Sequence, residues 1–296
     1  MSYYGRPVLK EPVWKAEVPA YMFCGGLAGA SSVLSFVARL TGGDKLARAS
    51  LFAGAAVEAV CPVLLISDLG RPEPFLNMLR VFKVTSPMSV GSWILAASSS
   101  ATMTAAACEG LDIAPRLRTA AACCSAAAGA PLSVYTATLI SDTAVPVWHE
   151  GRHELPFLFA AESTASAGAA ATLLLAPAEA RPARRLAILG VLAAEQAMRT
   201  MKQRLGVVGE VYDDGDAGRY GRIARTAGTA GASLLALAGR RRAPAAVGAA
   251  LVLAGSFARR WSIFRAGFQS ARDPRYTVEP QRERLASRSS TRSAPA

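Results

Sequence analysis

The sequence carries few charges and few of the residues that bind metals or haem. Only 18% of its 296 residues are charged, against about 25% in an average soluble protein. It has two histidines, so haem ligated by a histidine pair is disfavoured. The five cysteines lie in apolar stretches without the CxxC spacing of disulfide frameworks, Fe–S clusters or zinc sites. We therefore expect no haem, Fe–S cluster or metal ion held by this chain.

Aromatic residues are also scarce, at 7%, although the formal net charge is +12. A nucleic-acid-binding protein more often clusters its basic residues on one face and adds aromatic side chains on which bases stack. Here the lysines and arginines are scattered along the whole chain. Nucleic acid is therefore not an expected partner.

Charge is missing from stretches that are long enough to cross a bilayer, which takes about 20 residues. An alanine-rich soluble helix would need a charged face, and the long stretches lack one. Five contain at most one charged residue and three weaker ones follow: 18–38, 51–67, 84–108, 119–141 and 155–178, then 183–201, 223–239 and 243–264. The sequence therefore predicts an all-α integral membrane protein with eight transmembrane helices.

These spans divide the chain into segments. Before them, 1–17 is predicted to be an interfacial segment, since it lacks the pattern of a cleaved signal peptide. The first four spans occupy 18–141 and include the GxxxG pattern of Gly25 and Gly29, which lets helices approach closely. The rest is an interfacial loop, the last four spans and a basic disordered tail, at 142–154, 155–264 and 265–296.

Eight spans place both chain termini on one side of the membrane. Two thirds of the 33 lysines and arginines lie on that side. The positive-inside rule then predicts cytoplasmic termini in a cell membrane. The long loops and the tail share this side, so we expect a soluble partner to dock there.

Polar residues inside membrane spans are costly and are therefore candidate functional residues. One group falls at the membrane face on the terminus side, because successive spans alternate in direction. Tyr135 lies about 9 Å inside this face at about 1.5 Å per residue, deep enough for a pocket that binds an amphipathic ring. Tyrosine near this depth is also typical of interfacial anchoring. The group consists of Glu17, Tyr21, Asp68, Tyr135 and Asp142.

Three further acids lie within spans, namely Glu58, Glu162 and Glu195. Together with Asp142 they could form a proton path across the bundle, or they could be hydrogen-bonded packing residues. An ion- or proton-translocating transporter is the alternative function that they suggest. Such transporters use inverted repeats with helix breaks near the midplane, whereas the two breakers here, Pro62 and Pro131, are not related by symmetry.

A zinc-protease motif occurs in the loop before the fifth span. His149–His153 reads HEGRH and matches HExxH, in which two histidines one helical turn apart bind zinc. The motif requires a helix, but this copy contains Gly151 and lies between Pro146 and Pro156. A third-ligand motif has no clear counterpart. An intramembrane metalloprotease is therefore a weaker alternative to an interfacial loop that touches a partner or a pocket rim.

Three blocks of the sequence resemble the NrfD/polysulfide reductase membrane-subunit family. The most specific is Asp68–Leu95, DLGRPEPFLNMLRVFKVTSPMSVGSWIL. Glu17–Ser31 shares an aromatic residue, a Gly-Gly pair and small residues with the family's first helix. Tyr135–Gly168 shares a Tyr-Thr start, a Pro-x-Trp and a Leu-Pro before the fifth helix. The resemblance covers about residues 14–170.

The resemblance implies eight transmembrane helices in two four-helix bundles and a membrane anchor that passes electrons between an Fe–S subunit and the quinone pool. The implied partners are a ferredoxin-like [4Fe–4S] subunit and a molybdopterin catalytic subunit on the terminus side. The implied bound substrate is menaquinone or ubiquinone. Asp68 and Tyr135 match the family's quinone pocket, and Glu17 and Tyr21 match it less closely. Some members carry a histidine near helix one that this chain lacks. A purely structural anchor without quinone is the third alternative.

Overall fold

A computed structural model describes residues 9–71, 73 and 77–282, and within these ranges the regular structure is helical, without β-strands. Short 3-10 helices occupy Gly151–His153 and Gly206–Tyr212. The α-helices are α1 Glu17–Leu40, α2 Asp44–Glu58, α3 Val60–Leu69, α4 Pro87–Gly110, α5 Pro115–Leu132, α6 Tyr135–Ser141, α7 Pro146–Glu150, α8 Leu155–Leu174, α9 Arg181–Leu205, α10 Gly215–Ala238 and α11 Arg242–Arg272.

Eight long helical rods account for most of the described residues. Two of them are composite, because α3 continues α2 and α6 continues α5 after short interruptions. The other six are α1, α4, α8, α9, α10 and α11. Four rods are long and apolar enough to cross a membrane, namely Glu17–Leu40, Asp44–Leu69, Pro115–Ser141 and Leu155–Leu174. The prediction of an all-α membrane protein is confirmed, and four of the predicted spans have the composition of membrane helices.

Helix α1 is central to the packing. It contacts α2 and α5 among the first four rods, and α8 and α11 among the last four. Small residues permit these contacts: an ideal Cβ on Gly29 would lie 2.3 Å from the carbonyl oxygen of Gly129 in α5. Gly25, the other member of the predicted GxxxG pattern, has no such neighbour within 3.9 Å. The close approach therefore depends on Gly29.

Prolines lie beside the interruptions of both composite rods. Pro62 has no N–H to donate to the carbonyl of Glu58, and the rod is interrupted between them at Ala59. Pro131 is in the last turn of α5, after which the chain restarts as α6 at Tyr135. The two residues predicted to be helix breakers thus lie next to the interruptions, both within the first four rods.

The loop predicted at 142–154 is partly a core element. It contains α7 and the 3-10 turn that follows it. The Trp148 side chain is fully buried, and its Nε1–H donates to the carbonyl oxygen of Ile263 at 2.8 Å. Its indole also stacks on Trp14, with ring centroids 5.5 Å apart. The segment is therefore held against α11 and the segment that precedes α1.

The predicted disordered tail is wrong for residues 265–282. Helix α11 continues to Arg272, and residues 275–282 are helical. An ideal Cβ on Gly267 would lie 2.0 Å from the indole of Trp148, so α11 packs tightly beyond the expected boundary. Arg272 also pairs with Glu11 at 2.8 Å. These contacts order a stretch whose composition resembles a solvated tail. Residues 1–8 of the N-terminal segment and 283–296 of the tail lie outside the described ranges.

Candidate functional site

A narrow cavity of about 60 Å³ lies between α1, α3, α4 and α6. Most of its wall is apolar, and its polar groups come from four different helices. Three of the four residues predicted to bind a quinone line this single cavity, although they are far apart in the sequence. The lining residues are Trp14, Val18, Tyr21, Leu65, Asp68, Leu69, Met78, Met88, Ser92, Tyr135 and Leu139.

Two tyrosines form the polar wall of the cavity. The hydroxyls of Tyr21 and Tyr135 hydrogen-bond to each other, and their rings meet edge to face with centroids 6.3 Å apart. Tyr21 is only 2% exposed. Each phenol carries one donor, so one hydroxyl donates within the pair and the other O–H is available to an acceptor in the cavity.

The start of α4 makes room for this pair. Ser86 caps the helix by accepting from the N–H of Ser89 at 3.4 Å, and Pro87 occupies the first helical position. This register places Gly91 against the ring of Tyr135, where an ideal Cβ would lie 2.1 Å from Cε2. The SPMSVGSW segment therefore requires glycine at position 91, because any side chain there would occupy the space of the tyrosine ring.

Asp68 lies in the last turn of α3. The helix ends at Leu69 and is followed by Gly70, whose positive φ of 74° is readily adopted by glycine. The carboxylate of Asp68 accepts from the backbone N–H of Lys15 at 3.2 Å, and the Lys15 ammonium donates to the Asp68 carbonyl oxygen at 3.2 Å. The segment before α1 is thus tied to the end of α3, and this contact holds the carboxylate at the cavity wall.

Two other predicted residues of this membrane face lie outside the cavity. Glu17 is half-buried and accepts a hydrogen bond from the Ser67 hydroxyl at 3.4 Å. Asp142 is exposed and lines a separate open depression of about 630 Å³, together with His149, Arg152 and His153. The structure therefore groups Tyr21, Asp68 and Tyr135, and leaves Glu17 and Asp142 beside them.

The HExxH sequence does not form the helix that its zinc chemistry requires. His149 belongs to α7, whereas His153 ends a 3-10 turn that begins at Gly151. Within residues 9–71, 73 and 77–282, no group of three or more His, Cys, Asp or Glu side chains is placed to hold a metal ion. The geometry gives no support to a metalloprotease.

The family of the chain follows from its sequence profile. The family described as polysulphide reductase, NrfD, matches residues 9–201 of the 296. The chain belongs to the NrfD family. The match covers α1 to α8 and most of α9, and therefore the whole cavity. No curated protein matches the chain. The family match confirms the resemblance seen in the sequence. NrfD-family proteins are membrane subunits of multi-subunit respiratory oxidoreductases.

The predicted acids in the middle of the NrfD-family chain fall into two separate places. Glu58 ends α2 and is fully buried, and it accepts from the hydroxyl of Ser99 in α4 at 3.3 Å. A further hydroxyl pair joins Thr102 of α4 to Ser125 of α5 at 2.7 Å. Glu58 thus lies among hydroxyl side chains within the first four rods.

Glu162 and Glu195 lie in the last four rods and share one arginine. The Nε of Arg259 is 3.2 Å from a carboxylate oxygen of Glu162, and its Nη2 contacts Glu195. Arg259 is only 2% exposed. On the outer side, Arg225 approaches the second oxygen of Glu195 at 3.5 Å. The network therefore contains one residue from each of α8, α9, α10 and α11.

Two adjacent arginines, Arg259 and Arg260, lie near the end of the eighth predicted span, and no role was assigned to them from the sequence. Buried carboxylates need buried partners of opposite charge. Two adjacent arginines in an apolar run were therefore the sequence signal that could have predicted partners for Glu162 and Glu195. The second of them, Arg260, stacks on the Phe159 ring at 3.7 Å and donates to the Ser163 hydroxyl at 3.1 Å. An ideal Cβ on Gly26 of α1 would lie 3.1 Å from its Nη2. Arg260 therefore occupies the contact between the first and last four rods.

Proposed function

We propose that the cavity binds the head group of a quinone and that this chain passes electrons between an Fe–S subunit and the quinone pool. The observation that carries the proposal is the convergence of Tyr21, Asp68 and Tyr135 on one cavity from three helices. A quinone head is an apolar ring with two carbonyl oxygens. The cavity offers an apolar wall with a phenol pair and a carboxylate, which complements such a ring.

The partners follow from the electron requirement. With two histidines and no CxxC pair in the sequence, the chain lacks the usual ligands for an electron carrier of its own. We propose that a ferredoxin-like [4Fe–4S] subunit docks on the terminus-side face, near the cavity, with a molybdopterin catalytic subunit beyond it. Menaquinone or ubiquinone is the proposed substrate.

The tyrosine pair and Asp68 have different proposed roles in supplying protons to the quinone. Quinone reduction consumes two electrons and two protons for each quinol. The free O–H of the tyrosine pair donates to one quinone carbonyl oxygen, and Asp68 exchanges protons between the cavity and the membrane face. Glu17 lies one helical turn before Tyr21 and outside the cavity, so its proposed role is at the entrance.

Binding requires the cavity to widen. Its volume of about 60 Å³ is well below the roughly 300 Å³ of a small ligand pocket. Met78 and Met88 line the wall, and thioether side chains adapt readily because they are unbranched and flexible. We propose that these two methionines move aside when the ring enters.

We also propose that all eight rods cross the membrane, as two four-helix bundles made of the first and last four. The remaining rods α4, α9, α10 and α11 are 24 to 31 residues long, which is enough to span the hydrocarbon core at about 1.5 Å per residue. Reporter fusions in successive inter-helix turns should alternate between the two sides, with cytoplasmic termini. Two neighbouring turns on one side would contradict the arrangement.

The decisive experiment replaces Asp68. The complex is purified in mild detergent, its subunits are identified, and quinone-linked turnover is compared for wild type and Asp68→Asn. We expect co-purification of an Fe–S subunit in both and a roughly hundredfold lower turnover in the variant. Asp44→Asn is the matched control, because Asp44 is exposed at the other end of the composite rod formed by α2 and α3. Unchanged turnover with intact quinone binding would contradict the role of Asp68, and an intact complex that binds no quinone would favour a purely structural anchor.

A further inference from the structure

We propose that the end of the last four rods opposite the chain termini binds the head group of an anionic phospholipid. Two turns lie at this end, 175–180 between α8 and α9, and 239–241 between α10 and α11. With the first turns of α9 and α11 they carry six arginines: Arg181, Arg184, Arg185, Arg240, Arg241 and Arg242.

Two of these arginines hold the turns together. Arg242 donates to the carbonyl oxygen of Leu173 at 2.7 Å. Leu173 is in the last turn of α8, where carbonyl oxygens have no partner within the helix. Arg184 is 9% exposed and donates to the carbonyl oxygen of Pro177. An ideal Cβ on Gly239 would lie 2.8 Å from Cδ of Arg184. The two basic turns are therefore in direct contact and form one surface.

The other four arginines, Arg181, Arg185, Arg240 and Arg241, are exposed, and their side chains make no ion pair or hydrogen bond within the described part of the chain. The positive charges of Arg181 and Arg240 are both near enough to repel the positive charge of the Arg184 guanidinium. The acidic residue of these turns, Glu179, forms an ion pair with Lys45 instead, with 2.5 Å between the Lys45 Nζ and a carboxylate oxygen. This surface therefore concentrates positive charge without a matching acid.

Helix geometry adds to this positive potential. Helices α9 and α11 both begin at this surface, and the N-terminal end of a helix carries a partial positive charge and unpaired N–H groups. Arginines in the first turn are unfavourable there unless an anion compensates them. The expected ligand is therefore an anion, and a phosphate group matches the planar guanidinium donors.

Apolar exposure beside the arginines identifies the source of the phosphate as a lipid. Leu237 is 89% exposed and lies three residues before Arg240, and Leu189 is 62% exposed one turn after Arg185. A glycerophospholipid presents its phosphate and its acyl chains in this order across the membrane interface. A soluble phosphate would leave these leucines uncovered. This lipid site rests on the proposed membrane position of α9 to α11 and is independent of the quinone cavity.

The test measures retained lipid on the intact complex. Wild type and variants are reconstituted in phosphatidylcholine nanodiscs that contain a minor fraction of phosphatidylglycerol, re-extracted with detergent, and analysed for bound lipid by mass spectrometry. The variants are Arg181→Gln/Arg185→Gln and Arg240→Gln/Arg241→Gln. The matched control is Arg219→Gln/Arg222→Gln, which removes two exposed arginines near the other end of α10. An unchanged elution profile verifies that each variant is folded.

We expect wild type and control to retain phosphatidylglycerol and each test variant to bind it about thirtyfold more weakly, because two arginines near the surface are lost. Equal retention in all four proteins would overturn the proposal. An equal loss in the control would also overturn it, since the effect would then be one of net charge. Displacement of the lipid by millimolar inorganic phosphate would assign the surface to a free anion and overturn the lipid assignment.

Discussion

The hydroxyl of Tyr21 in α1 hydrogen-bonds to the hydroxyl of Tyr135 at the start of α6. The interruption of the fourth rod at Ser133 and Val134 sets where α6 begins. The pair therefore depends on a helix break as well as on the two residue types. Both tyrosines line the cavity and the pair uses only one of its two O–H donors, which makes the pair the proposed donor to a quinone oxygen.

Removing one hydroxyl tests this role. We expect Tyr135→Phe to lower quinone-linked turnover about a hundredfold, because a positioned proton donor contributes roughly that much. Complex assembly should be unchanged, since the ring still packs in the same space. The control is Tyr220→Phe in α10, whose ring packs on Trp261 away from the cavity. Wild-type turnover in the Tyr135 variant would contradict the assignment of the pair as donor.

Gly91 provides a second test, through packing rather than chemistry. We expect Gly91→Ala to displace the Tyr135 ring, because the added Cβ would lie 2.1 Å from its Cε2. Overpacking of this kind costs about 1–3 kcal/mol, so both the thermal midpoint and the turnover should fall. Gly110→Ala, at the far end of the same helix, adds a methyl group with no neighbour closer than 3.9 Å and should change neither. Equal behaviour of the two variants would contradict the proposed packing.

The sequence predicted the rods well, because a charge-free run of membrane length has few other structural uses. Alternating span direction also predicted Tyr21, Asp68 and Tyr135 at one membrane face. The predicted group included Glu17 and Asp142, which lie outside the cavity. The convergence of the other three on a cavity depends on the ring packing against Gly91 and on the Lys15–Asp68 contact, which are long-range contacts that local pattern does not specify.

The wrong prediction of disorder for residues 265–282 and the missing role of Arg259 and Arg260 have the same cause. Arginine-rich segments resemble solvated surface in composition, and their partners here are distant in sequence. Arg272 pairs with Glu11, and Arg259 pairs with Glu162 and Glu195. A single sequence shows which residues are charged, but it does not show which of them form ion pairs in the folded protein. The acids alone suggested a proton path, whereas the structure shows two of them bound to an arginine.

Arg259 should be important for stability. We expect Arg259→Leu to destabilise the protein by about 3–5 kcal/mol, because it leaves buried Glu162 without a counter-charge. Among the described residues, Glu195 then keeps only the half-exposed Arg225, at 3.5 Å. Arg225→Leu is the control, since Arg225 is 52% exposed and such pairs contribute about 0–1 kcal/mol. Unfolding in detergent monitored by tryptophan fluorescence measures both. Replacing Glu162, Glu195 and Arg259 together with leucine should recover much of the loss, and a triple variant as unstable as Arg259→Leu would contradict this explanation.

The pair of Glu154 and Arg204 should make stability depend on pH. Arg204 binds both carboxylate oxygens of Glu154, the second at 2.6 Å, and these hydrogen bonds lower the pKa of the carboxyl. The charged form is thus favoured in the folded state. The stabilisation should be complete above the ordinary pKa of 4.5 and should be lost as pH falls through the lower folded value.

The expected size is of order 1 kcal/mol, because Arg204 is 40% exposed and solvent screens the pair. The thermal midpoint of the detergent-solubilised protein, followed from neutral pH down to about pH 3, measures the effect. Glu154→Gln should lower the midpoint at neutral pH and converge with wild type at the acid end, since protonation removes the same interaction. Glu179→Gln, whose partner Lys45 is 75% exposed, should run parallel to wild type throughout. A constant difference between Glu154→Gln and wild type down to the acid end would show that the carboxylate stabilises the fold by packing rather than by charge.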